Sequence, residues 1–285
     1  HIHKVGGLMM SYQYMQGRME GTMTGTSDDP NNLAPDFRVT PVSMDMIMNM
    51  LGAMYGYSKN LTLMAMIPVT RSNSMDIQNN TSLRQFTTES SGVGDLKLSA
   101  LMLAGKDFVF RAGLNIPTGS IDNTDQLPNL RTVVLPYPMQ LGSGSYELSF
   151  GGVYAKKTGR TTFGSKSEFN LVVNDNDRGY RRGNSLLLTA WQSYKVTPST
   201  AAHGRLKFTD RGNISGVDST IPLGAPPAVT TAQGGTRLDL LFGMNYMLFH
   251  GAMMGFEIGT PIYQDLDGPQ GKMKYFFRLG MMYGF

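Results

Sequence analysis

Gly271–Phe285 reads GKMKYFFRLGMMYGF, and from Phe277 onward every second residue is large and apolar: Phe277, Leu279, Met281, Tyr283, Phe285. Arg278, Gly280, Met282 and Gly284 lie between them and are polar, small or flexible. Side chains of a β-strand alternate between its two faces, so a period of two predicts a strand with one apolar side. The sequence ends on that apolar set, with an aromatic two positions before the final phenylalanine.

The same pattern recurs along the whole length. Twelve alternating stretches can be read: Leu8–Met23, Ser43–Tyr57, Leu61–Ile77, Asp95–Ala104, Phe108–Thr118, Tyr146–Lys156, Thr161–Asn174, Ser185–Val196, Thr200–Ile214, Arg237–Phe249, Ala252–Gln264 and Lys272–Phe285. Each is long enough to cross a bilayer as a tilted strand, which takes ~9–11 residues. The connections sort into two kinds. SKN, GKD, KTGR, TPS and HG are tight-turn chemistry. Between them lie the long polar segments Thr24–Val42, Gln78–Gly94, Gly119–Ser145, Asp175–Asn184 and Ser215–Thr236, and a short DLDGPQ precedes the last stretch. Short and long connections in alternation are the signature of a membrane barrel with periplasmic turns and extracellular loops.

Composition agrees. Apolar residues are 41% and charged residues 16% of 285, yet no apolar run reaches the ~18 residues of a membrane helix. A barrel strand shows lipid only half its side chains, which spreads moderate hydrophobicity over short alternating stretches. The absence of cysteine excludes a disulfide framework and thiolate metal sites. A net charge of +4 without a basic, aromatic-laced stretch argues against nucleic acid. The expected fold is therefore all-β: a transmembrane antiparallel β-barrel of twelve strands, one domain over residues 1–285. Residues 1–7 are read as a periplasmic extension left after removal of a signal peptide.

An even strand number puts both termini in the periplasm. Lipid-facing sets follow from the apolar alternation, for example Leu61/Leu63/Ala65/Ile67/Val69 and Leu238/Leu240/Phe242/Met244/Tyr246/Leu248. Tyr12, Tyr14, Tyr55 and Tyr57 are candidates for interfacial girdles. The opposite faces carry Met9, Met15, Met19, Met44, Met46, Met48, Met50, Met54, Met64, Met66, Met247, Met253 and Met282, thirteen of the 22 methionines. Three uses fit such a lumen: flexible packing, a greasy deformable lining for small hydrophobic molecules, or a soft-donor array for Cu(I). The other strands supply the inward charges Lys97, Arg111, Glu147, Lys166, Glu168, Arg205, Lys207, Arg237, Asp239, Glu257 and Arg278. Enclosed charges must pair or be hydrated, so a salt-bridged wall is expected.

Other chemistry is thin. His203 alternates with Arg205 and Lys207 and faces inward, but no serine and carboxylate complete a triad in the sequence pattern. No catalytic site and no required cofactor are predicted. His1 and His3 at a free amino terminus would offer a square-planar copper site. Asn174–Asp177 is an acidic stretch able to attract calcium, though it lacks the glycine and glutamate of a calcium loop.

Several stretches carry a resemblance: GGLMMSYQYMQGRMEG, SMDMIMNMLGAMYGYSKNLTLMAMIPV, FTTESSGVGDLKLSAL, GLNIPTGSID, LPYPMQLGSGSYEL and PIYQDLDGP. From about Gly6 to Phe285 the chain resembles the outer-membrane channel family named for the meta-cleavage pathway of phenol degradation. The strand ending at Phe285 likewise resembles the signal by which the barrel-assembly machinery recognises its clients. The resemblance implies a twelve-stranded channel that passes small apolar or aromatic compounds, surrounded by outer-membrane lipid and lipopolysaccharide.

Overall fold

A computed structural model describes residues 4–29, 36–249 and 251–285. Eleven strands form one closed antiparallel sheet: β1 Leu8–Gly25, β2 Val39–Gly56, β3 Leu61–Asn79, β4 Leu96–Leu103, β5 Phe108–Ile116, β6 Glu147–Thr158, β7 Thr161–Val172, β8 Ser185–Lys195, β9 Thr200–Arg211, β10 Gly235–Phe249 and β11 Ala252–Gly284. Each pairs with its sequence neighbours, and β11 closes the barrel against β1. Closure leaves no sheet edge, the condition for a sheet to stand in lipid.

The count differs from the twelve expected. The last two predicted stretches form one element, because strand structure runs on without a break through DLDGPQ while the chain reverses there. This 33-residue element pairs with β10 through Ala252–Leu266 and with β1 through Gln270–Gly284. It doubles back on itself: Gly284 N–H donates to the Gly251 carbonyl at 2.9 Å, beside the start of the element. Tight turns, the Gly6–Gly7 backbone bonded to Gly56, and the Phe285 N–H bonded to Leu8 all gather at one end of the barrel.

The wall is uneven. β1, β2 and β3 have 18, 18 and 19 residues, whereas β4 and β5 have eight and nine. The far half of β3, Arg71–Gln78, therefore rises past β4 and pairs instead with a strand at Gln85–Gly92. That strand lies where the sequence reading placed a loop. At ~3.3 Å per residue the excess of β3 over β4 is about 35 Å along the strand. Outside, the apolar band ends on this side with Tyr12 donating to Asn49 at 2.6 Å and Arg18 paired with Asp45. These polar groups are tolerated where the wall leaves the hydrocarbon.

Three register shifts turn faces over. Met50 pairs with Pro68 but Asn49 with Thr70, so Val69 is bulged. Asp239 pairs with Pro261 but Leu238 with Tyr263, which bulges Ile262. A third shift skips Lys274 between the partners of Arg18 and Met19. Proline cannot donate to a ladder and is at home beside a bulge. Each bulge exchanges the inward and outward sets beyond it.

Candidate functional site: the barrel interior

Above the Val69 bulge the inward residues of β3 become Arg71, Asn73, Met75 and Ile77. They receive the longest connection. Residues 117–146 fold into the barrel mouth, where Leu135 and Met139 pack with Met44, Met75 and Ile77; Met139 is 0% and Leu135 1% exposed. Tyr137 packs with Tyr180, Ile214, Ile221 and Ala228 under the neighbouring loops. The two tyrosine rings meet edge to face at 4.8 Å, and the Tyr137 hydroxyl accepts from the Asp218 N–H at 3.0 Å. Burial raises the pKa of both hydroxyls above the ordinary tyrosine value.

Polar anchors fix the backbone of the segment. Ser90 Oγ donates to the Met139 carbonyl at 2.6 Å, Arg71 to Leu141 at 3.0 Å and Arg182 to Gly142 at 2.6 Å. Asp95 accepts the Gly119 and Ser143 N–H groups, each at 2.9 Å. The two ends of the segment touch at Gly119 and Gly142, where a Cβ on Gly142 would collide with the Gly119 carbonyl. At the outer surface Arg178 pairs with Asp122, a hydrogen bond that raises the arginine pKa.

Three cavities among the described residues are lined from the barrel interior. The largest of these three, ~410 Å³, is lined on one side by Met15, Met46, Met48, Met273 and Arg71 and on the other by charged residues of β7, β9, β10 and β11. On that second side each carboxylate is held by several cations. Glu257 lies 2.9 Å from His203 Nε2, 3.3 Å from Arg205 and 3.5 Å from Arg278. Asp239, wholly buried, lies 2.9 Å from Lys207 and 2.8 Å from Arg237. Glu168 pairs with Arg111 and, at 2.8 Å, with Lys166. Phe276 lies under this wall, with the Lys207 ammonium 4.6 Å from its ring centre. A second cavity, ~140 Å³, is lined in part by Met19, Met44 and Met75 beneath the loops. A third, ~220 Å³, meets the largest at Met48 and Arg71 and also includes Met50, Lys97 and Glu147.

Other sequence-predicted residues sit nearer the tight-turn end. Met9, Met54 and Met64 form one cross-strand row. Met66 pairs with Gly52 and Lys97, Met282 with Ser11, and Met253 with Met247 beside the Gly251 turn. His1 and His3 lie outside the described residues. Three side chains of Asn174–Asp177 are engaged in holding loops: Asn174 accepts from the Tyr146 N–H, Asp175 pairs with Arg181, and Asn176 donates to the Ser143 carbonyl. No three His, Cys, Asp or Glu side chains gather at metal-binding distance among the described residues.

Sequence reasoning missed Arg71, Asn73, Met75 and Met273, which strict alternation puts on the wrong face, and Arg182, which belongs to a loop; Phe276, on the same face as Arg278, was within reach. Arg211 was within reach, two steps beyond Lys207 and Thr209 on the same face.

Residues 27–221 match the family model described as "Putative MetA-pathway of phenol degradation". The chain belongs to this family. The described fold is similar to the COG4313 outer membrane channel of Pseudomonas putida F1, at 17% identity and TM-score 0.68, covering 99% of this chain and 97% of that one. It is also similar to the β domain of the Bordetella autotransporter BrkA, at 11% identity and TM-score 0.56, covering 98% and 100%. A deltaS2 mutant of the monoaromatic hydrocarbon channel TodX matches at 9% identity and TM-score 0.51, covering 99% and 90%. No curated protein sequence matches at a significant level. The family member described here shares the closed antiparallel barrel fold of these outer-membrane proteins.

Proposed function

We propose that the barrel is a passive channel for small hydrophobic or aromatic molecules, with its termini and tight turns in the periplasm. The observation that carries this reading is the two-sided central cavity. One side is largely thioether and deformable, with Arg71 beside Met48 bonded to the Leu141 carbonyl; on the other the charges are already paired. Its ~410 Å³ falls in the range of small-molecule sites, roughly 300–1,000 Å³. The family description names phenol degradation, and TodX is a monoaromatic hydrocarbon channel; an aromatic permeant suits both. The inserted Gly119–Ser145 segment narrows the passage. The outward apolar band, which includes Phe110, Phe150 and Phe242, faces lipid and lipopolysaccharide.

Deleting Leu127–Leu141 tests the reading. The deletion is expected to raise single-channel conductance in planar bilayers and to speed entry of benzyl alcohol into proteoliposomes. Unchanged conductance and unchanged entry would rule out the segment as the constriction.

A further inference from the structure

The ~220 Å³ cavity has a different character from the paired wall. Four cations line it, Arg71, Lys97, Arg182 and Arg211, against two carboxylates, Asp95 and Glu147. Asp95 is occupied by backbone N–H groups of the inserted segment. Arg71 and Arg182 reach neutral carbonyls rather than carboxylates. The side chains of Arg211 and Lys97 make no hydrogen bond or ion pair with any described residue. Arg71, Arg182 and Arg211 are also near enough to feel one another's charge, and Glu147 is the acidic influence on Arg211. Guanidinium groups converging in an enclosed space repel unless an anion sits between them, and their fork of donors matches a carboxylate. The rest of the lining is mixed: Met48, Met50, Pro68, Leu141 and Val172 form an apolar part, and Asn115, Asn170 and Ser185 add neutral polar groups.

A cavity with unpaired guanidinium on one side and thioether on the other suits a ligand with a charged end and a greasy body. We propose that it binds a small amphipathic monoanion, an aromatic carboxylate, with the carboxylate at Arg211 and the ring against Met48 and Met50. The inference rests on the channel reading above and extends its permeants from neutral aromatics to their acids. Because the cavity adjoins the central one at Met48 and Arg71, the bound acid would lie on the way through.

The full-length barrel in detergent is titrated calorimetrically with benzoate, benzamide and acetate at low and high salt. Benzoate has charge and ring, benzamide the ring alone, acetate the charge alone. Benzoate is expected to bind at least tenfold tighter than either of the others and to weaken in high salt. Arg211→Gln, which removes no contact the fold uses, is expected to lose about tenfold, and Lys97→Gln about threefold. Absence of benzoate binding, equal binding of acetate or benzamide, or wild-type affinity in both variants would overturn the proposal. The neutral path is judged separately by benzyl alcohol entry into proteoliposomes. Entry failing while benzoate binding holds refutes the hydrophobic channel and leaves the anion site; the reverse result removes the anion site alone.

Discussion

Met139→Ala should undock the inserted segment while leaving the barrel closed. Met139 is fully buried against Met44, Met75, Ile77 and Leu135, and the packing around it joins the loop to the strands. Truncating a buried methionine to alanine costs about 2–5 kcal/mol, the spread reflecting how far the site collapses around the void. If that cost falls on the docked state alone, the undocked fraction rises by roughly 30-fold to several thousand-fold. The anchors at Leu141 and Gly142 remain, so the lower part of that range is the better expectation. Two readouts follow the same equilibrium. Trypsin should cut at Arg131, next to the exposed tip at Leu130 (77% exposed), much faster in the variant, and conductance should show more frequent openings. Wild-type rates in both, with a barrel that still migrates as folded, would refute the idea that this packing holds the passage narrow.

Two further outcomes follow from the same geometry. Glu257→Gln leaves Arg205 and Arg278 facing each other without their shared carboxylate, and breaking an enclosed pair in this way costs about 3–5 kcal/mol; the midpoint of heat-induced unfolding on gels should fall by several degrees, and an unchanged midpoint would contradict the pairing. Tyr137 and Tyr180 have hydroxyl pKa values raised by burial, so the docked state is favoured fully below the ordinary tyrosine pKa of ~10 and loses that contribution as pH rises through the raised values; tryptic cutting at Arg131 should therefore accelerate above about pH 10, and the Tyr137→Phe/Tyr180→Phe double variant should lose that acceleration.

The barrel was legible in the sequence because lipid and lumen impose opposite demands on adjacent residues. That demand is local, repeats along every strand and survives without knowledge of the partner. The inner surface was legible only as far as the first bulge on each strand. Pro68 and Pro261 were visible, but which neighbour the ladder would skip depends on the facing strand, Met50 in one case and Asp239 in the other. The skipped residue decides whether Arg71 or Thr70 points inward, and therefore where the guanidinium cluster lies. The last strand shows the converse error. DLDGPQ has the composition of a turn, and the backbone does reverse there, yet the ladder to β10 runs to Leu266 and the ladder to β1 resumes at Gln270, so the two arms join as one element. The inserted loop is legible only in its composition, since Leu135, Pro136, Tyr137, Pro138 and Met139 are poorly suited to open water. Its docking partners come from strands and loops far along the chain, a matter of long-range contact that no local pattern encodes.

The uneven wall explains why that loop must be inside rather than above. β1, β2 and β3 carry their inner face well beyond the top of β4 and β5, and on that projecting face the chain places Met44, Met75 and Ile77. Below the membrane surface such residues would face a narrow lumen; above it they would face open water. Each buried apolar side chain contributes about 1.5–3 kcal/mol relative to exposure, so three of them together with Leu135 and Met139 make docking worth far more than the entropy of closing a loop this long. The Gln85–Gly92 strand completes the same shelter by continuing the wall where β4 stops. The constriction is thus not an addition to a finished pore. The tall strands create an apolar surface that only the inserted segment covers, and the cavities that line the route are the spaces left between the two.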